Sequence, residues 1–298
     1  MSNDTITFLG CGSWGAALGS VLENKGLNVR FWHRNPKTVR DMKITRKHYL
    51  MPNVKFGQSV SFHSDINEAI VGSKNIVLAI PSQNVREIIF KIKHSIDSSI
   101  CIINVAKGIE KETLKTVSEV VFDVTKDLSN YVTISGPSHA EEVLANTPTA
   151  LVSASKNMSA ANFVQKLFST NKFRVYTNND LIGVEIGGSA KNVIAIAAGF
   201  CDGFGYGDNT KSALMTLGIK ELSRLGLCFG ARKDTFFGLA GVGDLIVTCS
   251  SVHSRNRKLG ERIGKGIGLD DAMNRSHMVA EGVITAYSIK KLREKLIP

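Results

Sequence analysis

A glycine-rich segment near the N-terminus has the residue types and spacing that hold a dinucleotide pyrophosphate. Residues 10–15 read Gly-Cys-Gly-Ser-Trp-Gly, follow an apolar strand-like run and open a helical pattern over residues 16–22. In this pattern the first glycine permits a tight turn, the second admits the pyrophosphate and the third packs helix on strand. The helix N-terminus adds unpaired N–H groups. We therefore predict a dinucleotide site, with a purely structural glycine turn as the alternative.

The end of the second strand-like run indicates which cofactor is preferred. An Asp or Glu about 20 residues beyond the glycines usually accepts hydrogen bonds from the ribose of NAD. Residues 24–40 contain no carboxylate, and Arg34 stands at the end of the run. A guanidinium there can pair with a 2′-phosphate. We predict NADP as the preferred cofactor and NAD as a possible one, unless Arg34 is only a solvated loop charge.

Polar residues follow three further strand-like runs, at the sheet edge where open α/β sheets bind their ligands. These residues are Ser82, Lys107 and Ser138. Lys107 is predicted to lie near cofactor and substrate, the alternative being an ordinary surface lysine. Ser138 is a candidate ligand contact, but with Glu141 it also fits a capping box that starts a helix.

The second half of the chain offers a lysine, a carboxylate and a polar segment. Lys191 is the single lysine in a small, apolar helical stretch over residues 187–193. Desolvation there would lower its pKa and suit it to proton transfer, whereas a snorkelling lysine is the alternative. Residues 238–244 join a glycine turn to Asp244, and residues 254–257 read Ser-Arg-Asn-Arg. Arg255 and Asn256 could hold a phosphate at a helix start.

Hydrophobic periodicity predicts the elements that position these residues. Apolar strand-like runs lie at residues 6–10, 28–32, 75–80, 99–105, 131–135, 149–154 and 173–176, with helical patterns at 85–94, 159–169, 181–199, 211–225 and 257–264. The alternation indicates an α/β fold, a Rossmann-like doubly wound mostly parallel sheet followed by an all-α domain. We place the NAD(P)-binding domain at residues 1–178 and the helical substrate-binding and catalytic domain at residues 179–298.

Composition limits the remaining classes. The 298 residues predict about two domains. With 43% apolar and 21% charged residues, the chain is neither disordered nor fibrous. The net charge of +11 favours anionic partners, but basic residues are dispersed and aromatics make up 7%, so nucleic-acid binding is not expected.

Cysteines and apolar stretches point to a cytoplasmic protein. The five cysteines are scattered without a Cys-x-x-Cys pair, so neither disulfides nor a zinc site is expected. The apolar runs noted above fall short of the roughly 20 residues that span a bilayer, so we expect no stable membrane insertion. No Lys or Arg precedes Lys25, which is unlike a secretory signal.

Together these segments resemble the NAD(P)-dependent glycerol-3-phosphate dehydrogenase family, in particular its bacterial type. The similar motifs, in the family's order, are residues 10–15, 106–108, 135–138, 189–192, 238–244 with 248–249, 254–256 and 281–282. The resemblance implies reversible hydride transfer between NADPH and the central carbon of dihydroxyacetone phosphate. The product would be sn-glycerol 3-phosphate for phospholipid synthesis.

The resemblance also assigns roles to residues. Lys191 would accept the proton in alcohol oxidation and donate it in ketone reduction, with Lys107 and Asp244 beside it in catalysis. The implied substrate contacts are Lys107, Gly136, Ser138, Lys191, Asp244, Ser254, Arg255 and Asn256. The expected cofactor contacts are Gly10, Gly12, Ser13, Trp14, Gly15, His33, Arg34, Lys107, Ala140, Arg255, Val279 and Glu281. No metal is required, and a homodimer is expected.

Two other functions remain open from the sequence. A related Rossmann dehydrogenase for a hydroxy acid or hydroxyacyl thioester would use a catalytic histidine, and only His139 lies among the proposed motifs. A non-catalytic NADP-sensing module would not need both Lys107 and Lys191. The chain stops at residue 298, where family members usually continue with more helix, which leaves C-terminal packing and the subunit interface open.

Overall fold

The computed structural model describes residues 5–274 and 281–296. Its strands are β1 Thr5–Leu9, β2 Asn28–Trp32, β3 Val60–His63, β4 Asn75–Leu78, β5 Cys101–Asn104, β6 Tyr131–Ser135, β7 Thr149–Ala154 and β8 Phe173–Asn178. The helices of the first half are α1 Ser13–Asn24, α2 Pro36–Thr45, α3 Ile66–Ile70, α4 Val85–Ile92, α5 Val117–Thr125, α6 Ala140–Leu144 and α7 Met158–Phe168. Those of the second half are α8 Leu181–Phe204, α9 Asp208–Cys228, α10 Asp244–Ser250, α11 Arg255–Gly264, α12 Leu269–Asn274 and α13 Glu281–Leu296.

The strands form one sheet in the order β3-β2-β1-β4-β5-β6-β7-β8. Every neighbouring pair is parallel except β6 and β7. The strand order reverses between β1 and β4, which opens a crevice at the carboxyl ends of these strands. The predicted doubly wound, mostly parallel sheet followed by a helical region is confirmed.

Alternating side chains of the strands form a core on each face of the sheet. Phe8 and Val77 pack with α1 on one face, whereas Ile76 and Leu78 pack with α4 on the other. Strands buried on both faces read as continuous apolar runs, which is why most were predicted. The edge strand β3 was missed because its four residues alternate between buried and half-buried positions.

Helix α8 is the central helix of the second half. It is long and apolar enough to cross a membrane by length and composition, and 72% of its most apolar window is buried inside the protein. The sequence predicted a helix over residues 181–199, but a count of uninterrupted apolar runs did not identify it as long enough to span a bilayer, because charged residues interrupt it. Those charges have partners in the interior: Glu185 accepts a hydrogen bond from Tyr131, and Lys191 donates to Asp244.

Small residues let α8 and α11 approach closely. A Cβ atom on Gly199 of α8 would collide with the carbonyl of Arg257, and one on Gly260 of α11 would collide with the carbonyl of Ile196. Glycine at such a crossing brings the two backbones together, which fixes the start of α11 relative to the middle of α8. The segment expected to hold a phosphate is therefore anchored to the helix that carries Lys191.

Candidate active site

Two lysines share one buried carboxylate where the sheet meets the helical half. Lys191 Nζ lies 2.5 Å from Asp244 Oδ1, and Lys107 Nζ lies 2.6 Å from Asp244 Oδ2. The side chains of Lys191 and Asp244 are 6% and 1% exposed, and that of Lys107 is 19% exposed. Lys107 is therefore not an ordinary surface lysine, and Lys191 does not snorkel to solvent. The structure brings together the three predicted catalytic residues.

Lys107 is positioned by the turn that follows β5. Asn104, the last residue of β5, accepts a hydrogen bond from the Ala106 N–H at 3.0 Å and donates to the Ala106 carbonyl at 3.1 Å. Across the cleft, a Cβ on Gly188 of α8 would lie 3.6 Å from the aliphatic carbons of Lys107. The Lys107 stem therefore lies within van der Waals reach of α8 at Gly188.

Asp244 is positioned by the glycine turn before α10. A Cβ on Gly187 would lie 2.6 Å from the Ala240 carbonyl, so the turn over residues 239–243 packs directly on α8. Asp244 then begins α10, where a negative charge is favoured by the N–H groups of the first turn. Thr248, one turn later, donates to the Asp244 carbonyl at 2.6 Å and contacts Lys191 Nζ.

Burial and the neighbouring charges set the protonation of the cluster. Burial lowers the pKa of Lys191 to about 8, with the attraction of Asp244 opposing this change and the repulsion of Lys107 adding to it. Burial alone would raise the pKa of Asp244, but the two ammonium groups hold it below its usual value. A carboxylate between two lysines leaves a net positive site, which suits an anionic substrate.

The glycine segment before α1 has the shape of a pyrophosphate cradle. Gly10 has φ +109°, and a Cβ there would collide with the Ala79 backbone. A Cβ on Gly15 would lie 3.0 Å from the Ala79 side chain, so this glycine serves helix packing. A Cβ on Gly12 would meet no atom within 4 Å. Gly12 is also the N-cap of α1 and has no side chain to occupy the first N–H groups. The open space at this helix N-terminus fits a bound pyrophosphate.

The residues that follow β2 lie together near the carboxyl end of that strand. His33 accepts a hydrogen bond from the Asn35 N–H at 3.1 Å, and its ring meets that of Tyr49 edge-on at 5.1 Å. Arg34 is exposed beside them. Trp14, within the glycine segment, is partly buried against the core. Tyr49 was missed by the sequence analysis because it belongs to an irregular loop with no pattern to mark it.

Three other predicted ligand contacts, Gly136, Ser138 and Ala140, also make contacts within the protein itself. Gly136, at φ +137°, accepts hydrogen bonds through its carbonyl from Lys107 at 3.3 Å and from Ser138 Oγ at 3.0 Å. The predicted capping box of Ser138 and Glu141 is wrong, because α6 begins one residue later with His139 at its N-cap. Ala140 is buried in the core.

The C-terminal motifs at residues 254–256 and 281–282 are joined by a hydrogen bond. Ser254 caps α11 by accepting from the Arg257 N–H at 3.2 Å. Asn256 accepts from the Gly282 N–H at 3.1 Å, next to Glu281.

Glu281 accepts from Ser82 N–H at 3.2 Å and from Ser82 Oγ at 2.7 Å. Burial raises the pKa of Glu281. Arg255 is exposed at the first position of α11. Val279 lies outside the described residues, so its predicted cofactor contact is not addressed.

Two residues near the cluster were not predicted as site residues. Thr248 follows Asp244 by four positions on one helix face, a spacing that could have identified it. Ser135, at the end of β6, is buried, and its hydroxyl finds no hydrogen-bond partner among the described residues. A Cβ on Gly188 would lie 2.6 Å from that hydroxyl, so Ser135 adjoins the Lys107 stem. Within the same described ranges, no group of three or more His, Cys, Asp or Glu residues could hold a metal ion.

Comparison with known proteins gives one consistent result. The family model described as NAD-dependent glycerol-3-phosphate dehydrogenase N-terminus matches residues 5–161, and its C-terminus counterpart matches residues 180–297. A glycerol-3-phosphate dehydrogenase [NAD(P)+] of Clostridium tetani (strain Massachusetts / E88) is 47% identical over 98% of this chain and 83% of its own length. The enzyme of that name from Clostridium botulinum (strain Eklund 17B / Type B) is 48% identical, over 98% and 88% of the two chains.

A solved structure agrees with these relatives. The crystal structure of glycerol-3-phosphate dehydrogenase from Coxiella burnetii has a TM-score of 0.95 to this chain at 36% identity. The match covers 99% of this chain and 90% of that one. The similarity therefore extends over both the sheet and the helical half.

Proposed function

The chain belongs to the NAD-dependent glycerol-3-phosphate dehydrogenase family, and from that premise we propose how its residues carry out the family's reaction. It is an NAD(P)-dependent enzyme that reduces dihydroxyacetone phosphate to glycerol 3-phosphate by reversible hydride transfer. The two alternatives, a hydroxy-acid or hydroxyacyl dehydrogenase and a non-catalytic sensor, are not favoured. Both halves of the chain match the same dehydrogenase family.

The Lys191–Asp244 pair carries the proposal for the chemical step. The nicotinamide cofactor, when bound, supplies the hydride. Lys191, as an ammonium, donates its proton to the ketone oxygen and stabilises the charge that develops there, and as an amine it takes the proton back in alcohol oxidation. Asp244 holds the Lys191 ammonium in place, and Lys107 adds a second positive charge on the side of the sheet.

The substrate phosphate is assigned to the start of α11. Arg255 provides a guanidinium and Asn256 an amide at the first two positions of this helix, where N–H groups and the helix dipole also favour an anion. Gly136, Ser138 and Ser254 complete the proposed substrate contacts. The close crossing of α8 and α11 supports this assignment, since it ties the phosphate site to the helix of Lys191.

NADP is the proposed preferred cofactor. The glycine segment over residues 10–15 would hold the pyrophosphate, and the exposed Arg34 beyond β2 would pair with the 2′-phosphate. No carboxylate within residues 24–40 would repel it. Ser13, Trp14, His33, Lys107, Ala140, Val279 and Glu281 are the remaining proposed contacts.

Further proposals concern the setting of the enzyme. We assign residues 1–178 to the cofactor-binding domain and 179–298 to the substrate domain, a division supported by β8 ending at Asn178 and α8 starting at Leu181.

Glycerol 3-phosphate made by this enzyme would supply phospholipid synthesis. All five cysteines are free thiols, which agrees with the reducing cytoplasm. The exposed, mutually packed rings of Phe200 and Phe204 support a homodimer.

Replacing Lys191 tests the chemical step. Lys191→Met keeps the volume of the side chain but removes the proton donor, so kcat should fall by roughly 10²- to 10⁴-fold. NADPH affinity should stay nearly intact. Lys211→Met is a matched control, because Lys211 forms an ion pair with Asp202 at 2.7 Å outside the cluster. Near-normal turnover by Lys191→Met in an assay at 340 nm would refute the assignment.

Replacing Arg34 tests the cofactor preference. Arg34→Asp should weaken NADPH by roughly 10- to 150-fold, the equivalent of a charged hydrogen bond of about 1.5–3 kcal/mol, and change NADH much less. The control Arg40→Asp makes the same charge change at an exposed position of α2. Equal weakening of both cofactors would assign Arg34 to loop shape, and no change would remove the main support for NADP.

A further inference from the structure

His48 is a buried histidine whose two ring nitrogens are both engaged by backbone groups. Its side chain belongs to the loop between α2 and β3, and the residue is 1% exposed. Nδ1 accepts hydrogen bonds from the N–H groups of Leu50 and Met51, each at 3.1 Å. Nε2 lies 3.0 Å from the carbonyl oxygen of Cys11. Because Nδ1 acts as an acceptor, the ring proton belongs on Nε2, which donates to Cys11.

The loop that carries His48 is itself well anchored. The His48 N–H donates to the Val54 carbonyl at 3.0 Å, and the Phe56 N–H donates to the Arg46 carbonyl at 2.8 Å. The His48 ring packs near the rings of Tyr49, at 4.9 Å, and Phe56, at 6.1 Å. The imidazole is thus a fixed donor aimed at Cys11, which stands between Gly10 and Gly12 in the proposed pyrophosphate cradle.

The hydrogen bond from His48 to the Cys11 carbonyl fixes the orientation of the whole Cys11–Gly12 peptide group. In a trans peptide the C=O of one residue and the N–H of the next point in opposite directions within one plane. Holding the Cys11 carbonyl toward His48 therefore points the Gly12 N–H the other way, away from His48. Glycine at position 12 accepts positive as well as negative φ, so the Cys11–Gly12 peptide could otherwise turn over at little cost. A turned peptide would present a carbonyl oxygen where the N–H had been.

We propose that His48 is a positioning residue for the cofactor: its Nε2–H locks the Cys11–Gly12 peptide so that the Gly12 N–H faces the pyrophosphate. The inference rests on the proposed role of residues 10–15 as the cofactor cradle. The described contacts of His48 are with Cys11 and with residues of its own loop, and none is with Lys107, Lys191 or Asp244, so its effect belongs to cofactor binding.

Two amide substitutions separate the bond to Cys11 from the rest of the ring's contacts. Asparagine places its amide near the position of Nδ1, so His48→Asn keeps an acceptor for Leu50 and Met51 but loses the donor to Cys11. Glutamine extends its amide nitrogen to the position of Nε2, so His48→Gln keeps that donor. Direct titration of the purified enzyme with NADPH, and with NADH, measures the dissociation constants.

We expect His48→Asn to weaken both cofactors by about 2- to 12-fold, the loss of one hydrogen bond of about 0.5–1.5 kcal/mol. His48→Gln should stay within about twofold of the wild type, and kcat at saturating cofactor should be unchanged in both. Equal effects of the two variants would overturn the proposal, as would a fall in kcat with unchanged cofactor affinity.

A packing control tests for general loosening of the loop. Phe56→Leu removes the ring beside His48 but leaves the Cys11 bond, so it should lower the melting temperature without changing cofactor affinity. If Phe56→Leu weakens NADPH binding as much as His48→Asn does, the loop affects cofactor binding only through its stability, and the proposed role of the His48 hydrogen bond is wrong. Gly12→Val distinguishes the other failure: if it leaves NADPH binding intact, residues 10–15 are not the cradle and the proposed cofactor site itself is wrong.

Discussion

At the scale of single residues, Asp244 decides what the two lysines can do. Removing one partner of a buried ion pair leaves an uncompensated charge, so such clusters are costly to disturb and add little to stability. Their value here lies in placement, because one carboxylate holds both ammonium groups within 2.6 Å of its oxygens. Lys191 is thereby kept as a proton donor although burial lowers its pKa to about 8.

The pH dependence of the two reaction directions should mirror each other. Ketone reduction needs the Lys191 ammonium, so kcat should fall as pH rises through about 8, whereas glycerol 3-phosphate oxidation needs the amine and should rise over the same interval. Asp244→Asn removes an attraction that raises the Lys191 pKa, so the apparent pKa in both profiles should move to lower pH. Profiles of kcat for wild type and variant check this, and a shift to higher pH would contradict the roles assigned to the pair.

Part of this cluster could be predicted from the sequence and part could not. Lys191 stood out because a lone lysine in a run of small residues was expected to be partly desolvated, and Lys107 because it follows a buried strand. That both would bind one carboxylate could not be seen, since 137 residues separate Lys107 from Asp244. The tight crossing of α8 and α11 that brings the motifs together depends on Gly199 and Gly260, to which the sequence analysis assigned no role.

At the scale of elements, the strand–turn–helix unit of β1 and α1 matches its prediction closely. The buried strands and the helices α1, α4, α7, α8, α9 and α11 were predicted because their apolar period is strong, whereas α13 was not predicted. The edge strand β3 and the loop that holds His48 and Tyr49 were not, because half-buried and irregular segments carry no such period. The capping box at Ser138 failed because the Gly136 carbonyl takes the serine hydroxyl instead.

A side chain at Gly12, the second glycine of this unit, should affect cofactor binding but not the fold. Gly12→Val adds its methyl groups to open space on an extended backbone, so the melting temperature should change little while NADPH and NADH binding is lost. Gly207 is a matched control, since it is also an extended N-cap, of α9, with no atom near its Cβ direction. Gly207→Val should leave cofactor binding intact. Calorimetric melting and cofactor titration of both variants check the comparison; retained binding by Gly12→Val would contradict the cradle.

At the scale of the whole molecule, buried and partly buried histidines link folding to pH. Burial lowers the pKa of His33, His48, His63 and His139 below the ordinary value of 6.5. Between each lowered pKa and 6.5 the unfolded chain therefore binds more protons than the folded chain. The free energy of unfolding then decreases as pH falls through this interval. Paired carboxylates such as Glu110, whose pKa is lowered in the folded state, extend the loss to lower pH.

We expect the melting temperature to hold between pH 8 and 7 and to fall progressively from about pH 6.5 to pH 5, before most carboxylates titrate. Each histidine adds at most about 1.4 kcal/mol per unit by which its pKa is lowered. His139→Asn is an informative variant, because it removes one partly buried imidazole and should make the pH dependence between 6.5 and 5 shallower. Thermal unfolding at fixed ionic strength measures both slopes. A melting temperature that rises on acidification would mean that the folded protein takes up protons first, the opposite of what the burial of these rings requires.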